Sequence, residues 1–104
     1  MPRFDVYANP EPGERRLTPY FVDVQNDYIS HLETRVVVPL RRQAAFGPRP
    51  KGLNPLLEVG SDAVVLDTAA IGAVPTAELR KVVATLRGSR AEIQSALDTL
   101  FGSH

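Results

Sequence analysis

What most restricts this chain is the shortness of its apolar stretches: RVVVPL at 35–40, LLEV at 56–59 and AVVL at 63–66 each stop within six residues at a charged or turn-forming side chain. Runs this short suit strands better than helices, and none approaches the eighteen or so residues that a membrane span requires. Period-2 patterns reinforce the reading. From Arg3 to Ala8, Phe4, Val6 and Ala8 fall on one side and Arg3, Asp5 and Tyr7 on the other, which predicts a half-buried strand. NPEPGERR at 9–16 ends it, because Pro10 and Pro12 cannot donate to a ladder.

In the next stretch, Tyr20, Val22 and Val24 alternate with Phe21, Asp23 and Gln25, so a second strand places Asp23 and Gln25 on the side of Phe21. RVVVPL is dominated by β-branched residues and predicts a third strand buried on much of both faces, with Pro39 putting its end near an edge. RRQAAFGPRPKG at 41–52 has loop chemistry with a short helical turn at Gln43–Phe46. LLEV and AVVLD around Gly60, Ser61 and Asp62 predict an antiparallel hairpin. Residues 68–75 are small and apolar, and TAELRKVVATLR at 76–87 fits a helix or a last strand equally well. The C-terminus is the best punctuated segment. Ser89 and Glu92 form a capping-box pattern, Ile93, Ala96, Leu97, Leu100 and Phe101 recur at helical spacing, and Gly102 suits a left-handed exit. Several strands followed by one helix predict a mainly β domain of the α+β kind, a small antiparallel barrel or sheet closed by that helix. With 104 residues, a single domain spanning 1–104 is expected.

Twelve basic residues balance twelve acidic ones, so the whole molecule projects no field of the kind that drives non-specific binding to nucleic acid. Positive charge leans towards Arg41, Arg42, Arg49 and Lys51, where Phe46 adds a stacking group. The chain has no cysteine, hence no disulfide or thiolate chemistry, and its first twenty residues are broken by prolines and charges, so a cytoplasmic protein is expected. His31 and His104 have no partners at metal-ligand spacing, so no metal and no cofactor are expected. Ser30, His31 and Glu33 hold the side-chain types of a hydrolytic triad, but they crowd into one turn and read as solvated. Asp23 and Asp27 read less as an acid–base pair than as structural groups, Asp23 taking hydrogen bonds beside its strand and Asp27 fixing the turn with its own side chain. Residue patterns alone reveal no catalytic centre.

FVDVQND followed by RVVVPL resembles the CcdB family of toxins from bacterial toxin–antitoxin modules. FDVYA near the start, LNPLLEVGSD in the middle, AVP at 73–75 and an Ala-Leu-x-x-Leu-Phe pattern in the final helix follow in family order, so the likeness covers nearly the whole chain. The resemblance implies an SH3-like barrel of antiparallel strands with a small extra sheet and a C-terminal helix, assembled as a homodimer. It also implies a plasmid-maintenance type of function without catalysis. The toxin binds the breakage-reunion subunit of DNA gyrase, a CcdA-like antitoxin neutralises it, and operator DNA is bound only by the toxin–antitoxin complex. Family members reach gyrase through a C-terminal Trp-Gly-Ile tail. Here that region corresponds to Phe101, Gly102, Ser103 and His104, which lacks the tryptophan unless the match slides by one residue to set Phe101-Gly102 on Trp-Gly. The antitoxin site maps by resemblance to Tyr28, Ile29, Asp98 and Phe101, with Asp23, Gln25 and Asp27 expected to support the strand exit that presents Tyr28 and Ile29. Two rival expectations stand beside this one. MazF and Kid toxins share the barrel and cut RNA, which would give Arg41, Arg42 and Arg49 a role; a toxin fold that has lost its poison tail would act as an antitoxin sink or operon corepressor.

Overall fold

Thr34–Arg42 forms the longest strand and organises the rest. In this computed structural model, which describes residues 2–102, the strands are β1 (Asp5–Ala8), β2 (Tyr20–Asp23), β3 (Thr34–Arg42), β4 (Leu56–Val59), β5 (Asp62–Leu66), β6 (Gly72–Pro75) and β7 (Val82–Thr85), followed by helix α1 (Arg90–Phe101). All pairings are antiparallel, in the order β4-β5-β3-β2-β1-β7, with β6 branching from β3. The curled sheet with one terminal helix is the α+β barrel-like fold expected; β6 branches from β3 within that same sheet.

The central strand is longer than its apolar run suggests. Arg41 and Arg42 belong to β3, not to the following loop, and Pro39 lies inside the strand, not near its end. The missing proline N–H is tolerated because β3 changes partners there: β6 covers Thr34–Val37 and β5 covers Leu40–Arg42. The Pro39 carbonyl still accepts a bond from the Asp67 N–H at 3.0 Å.

Val6, Val22, Val38, Leu40, Leu57, Val64 and Leu66 from five strands meet Ile93, Ala96 and Leu97 of α1 in the main core. Each of the valine, leucine and isoleucine side chains among them contributes on the order of 1.5–3 kcal/mol by leaving water. The opposite face is also covered. Tyr7, Val37 and Leu79 form a second cluster with Phe21 and Val74, since the segment joining β6 to β7 crosses that side and inserts Leu79. β1 is therefore buried on both faces along Asp5–Tyr7, where alternation alone predicts one.

The segment at 76–87 resolves as one 3₁₀ turn (Thr76–Glu78) and the strand β7, in keeping with the β-branched pair Val82-Val83. The hairpin turns at Gly60-Ser61, Gly60 having a φ of 59°, and a 3₁₀ turn occupies Gln43–Ala45. At α1 the capping box does not form: Ser89 closes a 3₁₀ turn at Arg87–Ser89, and its backbone, at φ −109° and ψ 16°, is not in the extended conformation from which a cap side chain reaches the N–H groups of the first turn. The exit is as expected, with Gly102 at φ 76° and its N–H on the Asp98 carbonyl.

Candidate functional site

The exit of β2 is built from polar side chains that the sheet places on one face. Asp23 and Arg35 lie on neighbouring strands, both side chains fully buried, with Arg35 Nε donating to Asp23 Oδ2 at 2.7 Å. The other Asp23 oxygen accepts the Gln25 N–H at 2.9 Å. Burial pushes the Asp23 carboxyl above the ordinary aspartate range; the Arg35 guanidinium and the Gln25 N–H oppose this without reversing it. Tyr7, on the same face, is likewise pushed up by burial and by the charges of Asp5 and Asp23.

Gln25 bridges strand and turn. Its Oε1 accepts from the Val36 N–H and its Nε2 donates to the Ile29 carbonyl, both at 3.0 Å. Asp27–Ile29 is a single 3₁₀ turn, and its cap is Asn26, whose Oδ1 accepts from the Tyr28 N–H at 2.9 Å. Asp27 therefore does not fix the turn in the way its sequence position suggests. It reaches outward, accepting the Arg3 N–H at 2.8 Å and lying 3.7 Å from the Arg35 guanidinium. The result is an apolar group presented on a braced support: Tyr28 is 88% exposed and Ile29 37%, with Leu32 also exposed.

A second exposed group stands at the end of α1. Ile93, Ala96 and Leu97 are buried, Leu100 is half-buried and Phe101 is 67% exposed. Asp98, half-buried one turn back, accepts from Gln94 Nε2 at 3.0 Å. Gln94 Oε1 in turn accepts from Arg3 Nη2 at 3.0 Å, and Arg3 Nε donates to the Val24 carbonyl at 2.9 Å. Through Arg3, then, the turn carrying Tyr28 is tied to the helix carrying Asp98 and Phe101. Ser103 and His104, expected in the gyrase contact, lie outside the described residues.

The basic segment has a different character. Arg41 pairs with Asp67 at 2.6 Å, Arg42 with Asp62 at 3.2 Å, and Arg49 Nη1 donates to the Asn54 carbonyl at 3.0 Å. Asp62 is held below the usual aspartate range, first by the Tyr20 hydroxyl at 2.6 Å and then by Arg42. Ser30, His31 and Glu33 are exposed. Among the described residues, no three metal-ligand side chains cluster and no helix is long and apolar enough to cross a membrane.

A sequence model of one family, described as CcdB protein, matches residues 3–102. The chain belongs to the CcdB family. Its members are toxins of toxin–antitoxin modules and poisons of DNA gyrase; they are binding proteins, not enzymes, and their partners are an antitoxin and gyrase. In this CcdB-family chain, the braces missed by pattern reading are Arg35, Arg3 and Gln94. A charged residue opening an apolar strand, with an aspartate on the neighbouring one, was the available signal for Arg35. Arg3 and Gln94 are separated by ninety-one positions, and local spacing carries no trace of their contact.

Proposed function

We propose that this chain is the toxin of a type II toxin–antitoxin module. It acts as a homodimer by binding the breakage-reunion subunit of DNA gyrase and is neutralised by a CcdA-like antitoxin, binding operator DNA only in the antitoxin complex. The observation that carries this reading is Tyr28, 88% exposed on a turn whose every neighbour is hydrogen-bonded into the fold. A large aromatic side chain left in water on a braced turn has little to contribute to its own domain and much to a partner, since aromatic anchors dominate protein interfaces and lose little entropy on docking. Tyr28, Ile29, Asp98 and Phe101 form the antitoxin-binding surface, and Asp23, Gln25 and Asp27 support it. A disordered antitoxin segment that orders on binding needs such apolar area to offset its lost entropy.

The gyrase contact runs through Phe101 and Gly102 and continues into Ser103 and His104. Phe101 supplies the aromatic face that stacks on a guanidinium, a contact worth about 0.5–2 kcal/mol. The ribonuclease reading draws no support from Arg41, Arg42 and Arg49, each of which is engaged by an acceptor within the chain.

Expression in a gyrase-sensitive bacterium, followed by a gel for covalent gyrase–DNA complexes, tests the proposal. Growth arrest with accumulated complexes, relieved by co-expressed antitoxin, is the expected outcome. Arrest with intact DNA and cleaved RNA would transfer the function to the nuclease class. Antitoxin binding without arrest would make the chain a sink or corepressor.

A further inference from the structure

Phe4 is the sole non-glycine residue with positive φ among the described residues, at 74°. It occupies the third position of a turn closed by the Asp5 N–H on the Pro2 carbonyl at 3.3 Å, a place where glycine is the usual occupant. A bulky residue there is strained. Its ring is buried in the main core, while its N–H donates to the Asp23 carbonyl at 2.6 Å and its carbonyl accepts from the Leu86 N–H at 2.8 Å. This turn sets the direction in which Arg3 leaves the sheet.

Arg3 uses that direction fully. Its backbone N–H meets Asp27 in the turn, while its side-chain Nε meets the Val24 carbonyl at the β2 exit and Nη2 meets Gln94 on α1. The guanidinium lies 4.6 Å from the centre of the Phe4 ring, which fixes its plane. Three segments distant in sequence converge on one residue, whose side chain is not part of the main core cluster. Strain retained at such a point is a mark of function.

We propose that Arg3 is the positioning residue that locks the Asp27–Ile29 turn to α1, so that Tyr28 and the Asp98–Phe101 end of the helix face a partner as one preorganised surface. This deepens the reading given under Proposed function and rests on it for the identity of the partner, but the lock itself is a property of the free chain. Preorganisation lowers the ordering cost of docking and acts chiefly on the lifetime of the complex. Lysine cannot replace Arg3, because a single ammonium on a flexible stem does not span Val24 and Gln94 in one plane.

Hydrogen–deuterium exchange on the unliganded protein tests the lock. Arg3→Ala and Arg3→Lys keep the backbone bond to Asp27 but lose the side-chain bonds that tie it to Val24 and Gln94, and are expected to speed exchange at Tyr28, Ile29 and Ser30 at least fivefold while leaving Val22 and Val38 unchanged. Gln94→Ala, a change at an exposed position that threatens folding least, is expected to produce the same local effect at smaller size. Unchanged turn exchange in Gln94→Ala and Arg3→Lys, or a uniform increase that includes Val22 and Val38, overturns the proposal. Dissociation rates of a synthetic peptide copied from the C-terminal segment of a CcdA-like antitoxin are measured in parallel and are expected to rise about tenfold in both Arg3 variants. Local loosening combined with no peptide binding by the wild-type protein leaves the lock standing and removes the partner reading.

Discussion

The main core and the β2 exit are held by different physics. In the core, Val6, Val22, Val38, Leu66, Ile93 and their neighbours are apolar, and non-directional burial does the work. At the exit, Asp23, Gln25, Asp27, Arg35 and Arg3 set their positions by hydrogen bonds whose geometry admits little alternative. Stability and presentation thus draw on different interactions in this chain: apolar burial closes the core, while the hydrogen-bonded network at the exit, itself part of what keeps the chain folded, positions the turn that carries Tyr28.

The strongest challenge to this division is Arg35→Ala. It leaves Asp23 buried without its guanidinium and removes the bulkiest fully buried side chain, so a loss of about 3–5 kcal/mol is expected in urea unfolding. A loss under about 1 kcal/mol would mean that the pair is not the exit's foundation. Leu66→Ala in the core should cost about 2–5 kcal/mol, yet leave the exchange of the 27–29 turn unchanged relative to global stability. Coupled loosening of the turn in that variant would erase the distinction.

The response to pH also separates the two regions. Asp23 has a raised pKa in the folded protein, so its contribution is fully present below the unfolded value, about 4, and is lost as pH rises through the folded one. Asp23→Asn leaves the buried Arg35 guanidinium with Asp27, at 3.7 Å, as its nearest remaining carboxylate, so it is expected to destabilise on the same order as Arg35→Ala and to flatten that part of the stability–pH curve. Asp62 has the opposite sign. Its depressed pKa gives stability that is present above the unfolded value and lost as pH falls through the folded one, and Tyr20→Phe removes the larger cause. Stability of Tyr20→Phe should thus fall short of the wild type at neutral pH and converge with it below about pH 4, measured by thermal unfolding across pH. A constant gap would assign the hydroxyl a packing role.

The same contrast explains what could be read from the sequence. Strands at 5–8, 20–23, 56–59 and 62–66 were legible because alternation and Gly-Ser turns are local signals. The length of β3 was hidden by Arg41 and Arg42, whose charges suggest a loop until Asp67 and Asp62 come beside them in space. β7 was ambiguous because Leu79, Val82, Val83 and Leu86 fit either period, and pairing with β1, at the other end of the sequence, decided the matter. Within the candidate site, Asp23, Gln25 and Asp27 stood out as polar residues in an apolar stretch. Arg35 was masked by the valines after it, and Arg3 by its place in an apparent strand. The Ser89–Glu92 pattern failed for a local reason, the preceding 3₁₀ turn, which a four-residue motif does not encode.

If presentation draws on interactions other than core burial, the exposed Tyr28 and Phe101 serve a partner and do little for the fold. The decisive check is the growth of a sensitive bacterium expressing Tyr28→Ser/Phe101→Ala, with urea unfolding of the same purified variant as control. The arrest caused by the wild type should be abolished, while stability changes by no more than about 0.5 kcal/mol per site. Undiminished arrest, or loss of arrest only through unfolding, would contradict this division of labour.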